Sequence, residues 1–284
     1  MTRRLPHVAS LGVDAVWLSP FCASPDRDMG YDVSDYLAVS PLFGRLDDFD
    51  ALVAEAHRLR LKVIIDQVLS HASDQHPWFG EPRQDRLNAR ANWSVWADPR
   101  PDGSPPDNWL SVFGGPAWTF DPRRRSYYLH NVLPEQPDLD LQEPAVVDAH
   151  LATMRFWLER GVDGFRLDTV NFFVHDAQLR DEPPSDWTEV PKNPYEAQDH
   201  QFSRTQKENI EVLRRMRAPT DEFGPTTIVG KVGEAMRQID VMADYTLGDD
   251  KLHLSYAFEF LGPKRTAAHV RTRVERFLRR APDG

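Results

Sequence analysis

Short apolar runs alternate along the chain with longer segments in which apolar residues recur every three or four positions. The apolar runs predict strands over residues 13–20, 61–68, 162–170, 226–234 and 253–260. The periodic segments predict helices over residues 46–60, 145–161, 203–217 and 265–280. Nearly continuous apolar strands separated by helices are typical of parallel βαβ units, so the pattern predicts an α/β fold.

Two α/β architectures fit this alternation, an open doubly wound sheet and a (β/α)8 barrel. An open sheet that binds a nucleotide carries a glycine-rich turn after an early strand, and no such turn follows an early strand here. Three predicted strands instead end on charged residues, Asp66, Asp168 and Glu234. Functional residues at the carboxyl ends of several strands are typical of a barrel, so we predict a partial (β/α)8 TIM barrel.

Two segments interrupt the alternation. Residues 72–140 are rich in Pro, Trp, Asn and Asp and are too long for an ordinary loop, which predicts an inserted subdomain after the strand that ends at Asp66. A second insertion, at about 175–202, follows the Asp168 strand, and both insertions would wall a cleft above one rim of the barrel. The expected organisation is a first barrel part at 1–71, the inserted subdomain at 72–140 and a second barrel part at 141–284.

Amino-acid composition and net charge limit the kinds of molecule that the chain could bind and the compartment in which we expect it. The 284 residues carry a formal net charge of −10, which argues against nucleic acid or an anionic membrane surface as a partner. The single cysteine, Cys22, leaves no internal disulfide, and no apolar run approaches the roughly 20 residues of a membrane span. The first residues, interrupted by His7 and Asp14, do not resemble a signal peptide. These features predict a cytoplasmic location.

The stretch GVDGFRLDTV places Arg166 and Asp168 on one face of a strand that is expected to be buried. Charged groups there cost free energy unless they are paired or used, so a structural ion pair and a catalytic carboxylate explain this segment equally well. Glu234 adds a second carboxylate at the same rim. Glycoside hydrolysis uses two carboxylates: Asp168 beside a guanidinium suits the nucleophile, and a partly desolvated Glu234 suits the acid.

Five motifs resemble those of the α-amylase-type glycoside hydrolases, within them the α-glucosidase and oligo-1,6-glucosidase branch. They are SPFCASPDRDMGYDVSDY (19–36), DQVLSH (66–71), EQPDLD (135–140), GFRLDTV (164–170) and IVGKVGE (228–234). Any one of these motifs is weak evidence, but together and in this order they are specific. The resemblance covers nearly the whole chain and implies a (β/α)8 barrel whose inserted subdomain follows the third strand.

The resemblance assigns the catalytic roles. It implies that Asp168 attacks the anomeric carbon, and that Glu234 protonates the leaving oxygen and then activates water. Arg166 would orient Asp168 and keep it charged. Asp66 is expected to support the site by bonding Arg166 rather than to touch substrate.

The resemblance also implies residues that bind the sugar. Asp28 and His71 would hydrogen-bond glucose hydroxyls, although His71 could instead be a capped loop histidine. Tyr31 would stack beneath the ring, with core packing as its alternative, and Phe113 would add an apolar wall. Thr169 follows the nucleophile, and in this branch threonine there accompanies a preference for α-1,4 links, whereas valine accompanies α-1,6. The implied substrate is a small α-glucoside such as maltose, with glucosyl transfer as a side activity.

Several departures from the family's pattern shape the remaining expectations. The sequence lacks the opening strand, with the loop that binds calcium in many members, and the later Asn-His-Asp motif that supplies a third carboxylate; we therefore expect a barrel truncated at both ends. No metal ligand or cofactor is expected, and the oligomeric state stays open. Lys231 stands in a motif that more often reads glutamate, and Asp140 replaces an expected asparagine. The alternative to an active α-glucosidase is an inactive truncated remnant or a sugar-binding piece.

Overall fold

The computed structural model describes residues 1–186, 193–234, 237–258, 260 and 266–281. The helices in these ranges are α1 (Leu5–Ser10), α2 (Leu46–Arg58), α3 (Pro77–Gln84), α4 (Pro144–Glu159), α5 (Asn209–Glu222), α6 (Gln238–Thr246) and α7 (Ala267–Arg280). Short 3-10 helices cover Thr2–Arg4, Val170–Phe172 and Pro194–Ala197. The strands are β1 (Ala15–Leu18), β2 (Cys22–Ala23), β3 (Asp35–Val39), β4 (Lys62–Gln67), β5 (Trp96–Ala97), β6 (Trp118–Asp121), β7 (Ser126–Leu129), β8 (Gly164–Leu167), β9 (Thr227–Val232) and β10 (Leu254–Ala257).

Five of these strands form one parallel sheet in the order β1-β4-β8-β9-β10. Helices α2, α4, α5 and α6 fall between consecutive strands of this sheet. A strand order that follows the chain without reversal is that of a (β/α)8 barrel, whereas a doubly wound sheet reverses at a switch point. The predicted α/β fold, a partial TIM barrel, is confirmed.

The main core forms because the helices and the sheet each bury an apolar face. On α2, Phe49, Leu52, Val53 and Ala56 are buried at the spacing of one helical face, and every residue of β8 is buried. Strands β8 and β9 also approach closely at Gly164, where a Cβ atom would lie 2.2 Å from the carbonyl oxygen of the paired strand. The sheet is therefore a rigid support for residues at its strand ends.

A second, smaller core lies outside the sheet, in the segment predicted to be inserted. Its buried members are Val95, Trp109, Ala117, Trp118 and Leu129. Trp118 and Leu129 belong to the antiparallel sheet β5-β7-β6, and the other members pack with them. This separate core supports our proposal of an inserted subdomain at 72–140 between barrel segments 1–71 and 141–284.

Two predicted elements have different bounds in the structure, and one helix between sheet strands was not predicted. The helix predicted from residue 203 begins at Asn209, because the backbone N–H of Ser203 donates to Glu182 and the guanidinium of Arg204 donates to a carbonyl oxygen. The strand predicted over 162–170 ends at Leu167, and Thr169 has a φ of 43°. Helix α6 was not predicted, since its nine residues mix polar and apolar positions.

Candidate active site

A cavity of about 990 Å³ opens at the carboxyl ends of β4, β8 and β9. Most residues predicted to form the site line it, namely Asp28, Tyr31, His71, Phe113, Asp168, Thr169 and Glu234. The two other predicted residues, Arg166 and Asp66, are buried beside the cavity. The structure therefore brings residues from four of the five motifs, together with Phe113, into one place.

The side chain of Arg166 links two carboxylates. Asp66 and Arg166 are directly paired in the register of β4 and β8, which brings Arg166 Nη1 to 2.8 and 2.9 Å from the two oxygens of Asp66. The same nitrogen lies 2.7 Å from Oδ1 of Asp168. The hydroxyl of Tyr256, on β10, accepts from the other side of the guanidinium at 2.9 and 2.8 Å. This network fixes Arg166 as a buried cation between two acids.

Burial makes the network electrostatically sensitive. Burial raises the pKa of Asp66 to about 6, because the favourable charge of Arg166 only partly offsets it and the charge of Asp168 adds to it. Burial alone would lower the pKa of Arg166, but the negative charges of Asp168 and Asp66 outweigh it, so the pKa is raised. The guanidinium therefore stays charged beside both carboxylates.

Asp168 is held from both backbone and side chain. Its backbone N–H donates to the carbonyl of Gln67 at 3.0 Å, and Lys231 on β9 places Nζ 3.1 Å from Oδ1. Thr169 then turns the chain with a left-handed backbone, and its hydroxyl lies 2.9 Å from that of Ser70. Such strain in a β-branched residue is uncommon and concentrates at functional sites.

Glu234 follows β9 in a polar setting. The hydroxyl of Thr205 donates to Oε2 at 3.2 Å, and a guanidinium nitrogen of Arg204 lies 3.5 Å from Oε1. Arg204 is itself held against the rings of Phe172 and Tyr195, each 5.4 Å away. The buried carboxylate of Glu234 is thereby aimed at the same cavity as Asp168.

Loop residues on another side of the cavity form a third hydrogen-bonded cluster, which includes Asp28, His71 and Gln136. The buried amide of Gln136 lies 3.1 Å from Asp28 Oδ2 and 3.1 Å from His71 Nε2. Burial lowers the pKa of His71 to about 4, so its ring is neutral at neutral pH. Burial also raises the pKa of Asp28. Tyr31 donates its hydroxyl to Asp66 at 3.2 Å, which leaves its ring at the cavity wall.

Residues 1–278 match the family described as "Alpha amylase, catalytic domain". The chain belongs to the α-amylase family. This family membership confirms the resemblance drawn from the five motifs.

Two α-amylase relatives and one solved structure show how far the similarity extends. The "Probable alpha-glucosidase" of Rhizobium meliloti (strain 1021) is 56% identical over 100% of this chain and 53% of the relative. The "Alpha-glucosidase" of Culex pipiens is 40% identical over 92% of this chain and 46% of the relative. The solved "alpha-glucosyl transfer enzyme, XgtA" is 50% identical with a TM-score of 0.95, over 98% of this chain and 53% of that one. The chain spans about half the length of the curated relatives it matches.

Sequence reasoning about this α-amylase domain missed three contacts. Gln136 lies inside the motif EQPDLD (135–140), and only the fold shows that its amide bridges Asp28 and His71. Arg204 was placed in the helix predicted over 203–217, and in the structure it precedes that helix, which begins at Asn209. Tyr256 stands in a predicted strand, but its contact with Arg166 depends on the order of the sheet. A usable signal exists only for Tyr256, a polar residue within a predicted strand of the sheet.

Among the described residues, no three His, Cys, Asp or Glu side chains are grouped to hold a metal ion. Within the same ranges, no helix has the length and hydropathy that crossing a membrane requires.

Proposed function

We propose that this chain is the catalytic part of a retaining α-glucosidase that removes terminal α-1,4-linked glucose from small α-glucosides such as maltose. One observation carries the proposal: Asp168 and Glu234 line a single cavity, and Oδ1 of Asp168 is held 2.7 Å from Arg166. Retaining hydrolysis needs a fixed, charged nucleophile and a second carboxyl group that exchanges a proton. The chemistry uses these groups and water, with no cofactor.

The proposed reaction has two steps. In the first, Asp168 attacks C1 of the terminal glucose while Glu234 gives its proton to the departing glycosidic oxygen. In the second, Glu234 takes a proton from water, and the water attacks C1 and releases Asp168. If a sugar hydroxyl replaces water, the same step transfers glucose to it, which agrees with the name of the glucosyl transfer enzyme to which the chain is similar.

We assign the opposite side of the cavity to the terminal glucose. Asp28 and His71 would hydrogen-bond its hydroxyls, because Gln136 holds both side chains in place. The ring nitrogens of His71 face Ser70 Oγ at 2.9 Å and Gln136 Nε2 at 3.1 Å, so a glucose hydroxyl would replace one of these two contacts. Tyr31 would lie beneath the sugar ring, and Phe113, which is 57% exposed, would form an apolar wall at the mouth.

Release of p-nitrophenol from p-nitrophenyl α-glucoside tests the proposal. We expect release by the purified chain and loss of release in Asp168→Asn, which keeps the side-chain shape but cannot act as a nucleophile. A 5-fluoro-α-glucosyl fluoride should leave a glucosyl adduct on Asp168, detectable by mass spectrometry of the digested protein. Absence of both nitrophenol and adduct would overturn the proposal and favour an inactive remnant or a sugar-binding piece.

A further inference from the structure

The carboxylate of Asp32 is buried behind the loop that carries Asp28, and Asp32 has no exposed surface. Its Oδ1 accepts from the hydroxyl of Ser24 at 2.8 Å and from the backbone N–H of Asp28 at 3.1 Å. Its Oδ2 accepts from the backbone N–H of Arg27 at 2.9 Å. A buried carboxylate is costly unless it is hydrogen-bonded, and these three donors all belong to the loop. Asp32 therefore ties residues 24–28 to the segment that leads into β3.

The backbone of this loop is strained at two positions. Asp26 and Met29 have φ angles of 62° and 48°. A left-handed backbone costs free energy in residues other than glycine, and it persists where surrounding contacts hold it. The hydroxyl of Ser24 accepts from the N–H of Asp26 at 2.8 Å while it donates to Asp32. The bonds that hold the loop in this shape thus converge on Asp32.

The same loop presents two side chains to the cavity, those of Asp28 and Tyr31. The backbone N–H of Tyr31 donates to the carbonyl of Asp28 at 2.9 Å. From the other side, Gln136 Nε2 lies 3.1 Å from Asp28 Oδ2. Asp28 is thus held by Asp32 at its backbone N–H and by Gln136 at its carboxylate. These bonds together fix the orientation of the Asp28 carboxylate in the cavity.

We propose that Asp32 is a positioning residue that orients Asp28 to bind a sugar hydroxyl, without touching the sugar itself. This inference rests on the proposed function only in assigning the Asp28 side of the cavity to the terminal glucose. Because Asp32 has no exposed surface, its effect on a ligand passes through the loop. A side chain that is oriented before the ligand arrives loses less conformational entropy on binding. Asp32 therefore contributes to affinity through Asp28.

Calorimetric titration with 1-deoxynojirimycin, a glucose mimic, tests this role. We expect Asp32→Asn to weaken binding by about 10-fold or more, because the amide group that replaces one oxygen cannot accept from a backbone N–H. Ser24→Ala, which keeps the carboxylate, should weaken binding by about 3-fold. Unchanged affinity in both variants, or a wild-type protein that binds no mimic, would overturn the proposal.

Asp35→Asn is the matched control. Asp35 is exposed, lies in the same segment and accepts from the backbone N–H of Leu37 at 2.9 Å. Its replacement removes the same charge and a similar bond away from the cavity, so we expect wild-type affinity. A loss as large as that of Asp32→Asn would overturn the specific role of Asp32, because charge alone would then explain it.

A double-mutant cycle separates positioning from a general loosening of the protein. If Asp32 acts through Asp28, Asp28→Ala should already remove the affinity that Asp32 supports. Adding Asp32→Asn to Asp28→Ala should then change the affinity by less than about 2-fold. Losses that multiply independently in the double variant would overturn the proposed route through Asp28.

A third readout needs no ligand. Exchange of the backbone amide hydrogens of Arg27 and Asp28, followed by NMR, should be about 10-fold or more faster in Asp32→Asn but not in Asp35→Asn. Unchanged exchange in Asp32→Asn would overturn the role of Asp32 even if the protein releases nitrophenol, and the proposed function would stand. If wild type binds the mimic but releases no nitrophenol, the proposed hydrolysis fails while the role of Asp32 stands.

Discussion

Asp163 and Asp168 stand at opposite ends of β8 and are both bound by cations, yet their surroundings differ. Oδ1 of Asp163 lies 2.8 Å from Lys62, and its Oδ2 lies 2.7 Å from His57 Nε2 and accepts from the N–H of Val63 at 2.8 Å. Asp168 meets Arg166 Nη1 at 2.7 Å and Lys231 Nζ at 3.1 Å, and it lines the cavity. The carboxylate of Asp163 bonds the main chain of the neighbouring strand, whereas that of Asp168 faces a cavity that a substrate can enter.

The aspartate at the amino end of β8 thus contributes to stability, and the aspartate at its carboxyl end faces the cavity proposed for the reaction. At Asp163, burial raises the pKa, but the bonds from Lys62, Val63 and His57 outweigh it, and the pKa is lowered. A carboxylate whose pKa is lowered on folding stabilises the fold at any pH above its pKa in the unfolded chain. This stabilisation is lost as the pH falls through its pKa in the folded chain. Asp163 is therefore a structural anchor at neutral pH.

The largest expected effect separates the two aspartates directly. Asp168→Asn should lower the rate of p-nitrophenyl α-glucoside hydrolysis by about 1,000-fold or more, because the nucleophile is lost. Asp163→Asn should leave that rate within about 3-fold but lower the free energy of unfolding by about 1–3 kcal/mol. Steady-state kinetics and urea denaturation measure the two effects. A large loss of rate in Asp163→Asn, in a protein that stays folded, would contradict the purely structural role given to Asp163.

A smaller effect follows from the histidines near the cavity. Burial, aided by the charge of Arg204, lowers the pKa of His200 to about 4. Between about pH 6.5 and pH 4 the unfolded chain therefore binds a proton that the folded chain does not, so stability falls as the pH drops. The contribution of His200 is at most about 1.4 kcal/mol per pH unit.

Urea denaturation at several pH values between 7 and 5 checks this prediction. His200→Gln should reduce the slope of unfolding free energy against pH, because one proton no longer differs between the two states. His57→Gln, at the Asp163 end, provides a partly exposed histidine for comparison. An identical slope in wild type and His200→Gln would show that this histidine is not held neutral.

The smallest expected effect concerns the linkage preference. Thr169→Val keeps the β-branched shape and the left-handed backbone but removes the hydroxyl that lies 2.9 Å from Ser70. We expect the ratio of maltose to isomaltose hydrolysis to fall by about 3- to 10-fold, with total activity changing less. Glucose release from the two disaccharides measures the ratio. An unchanged ratio would assign the linkage preference to other residues.

The sequence was most informative where local pattern and tertiary role coincide. The apolar runs before Asp66, Asp168 and Glu234 predicted buried strands whose ends meet, since parallel strands place their carboxyl ends at one edge. Strand limits were less accurate at 162–170, because a threonine with positive φ ends the strand and has no distinctive sequence pattern.

Contacts between distant segments could not be predicted from spacing. Lys231 stood out as a departure from the motif, but its partner is set by the register of β8 and β9. Gln136 and Arg204 act through segments whose paths depend on the insertions. Such partners are chosen by packing across more than 25 positions of sequence, and no periodicity carries that information.

The small core beneath β5-β7-β6 has a consequence for heat inactivation. Residues of both insertions share it, because Leu179 and Phe202 of the second insertion pack against the buried residues of the first. The two walls of the cleft thus share one small core, while Trp78 and Trp93 of the first insertion also pack against the main core. On heating, we expect the small core to loosen before the parallel sheet, so that the cleft walls lose their mutual support while Gln136 still bridges to His71.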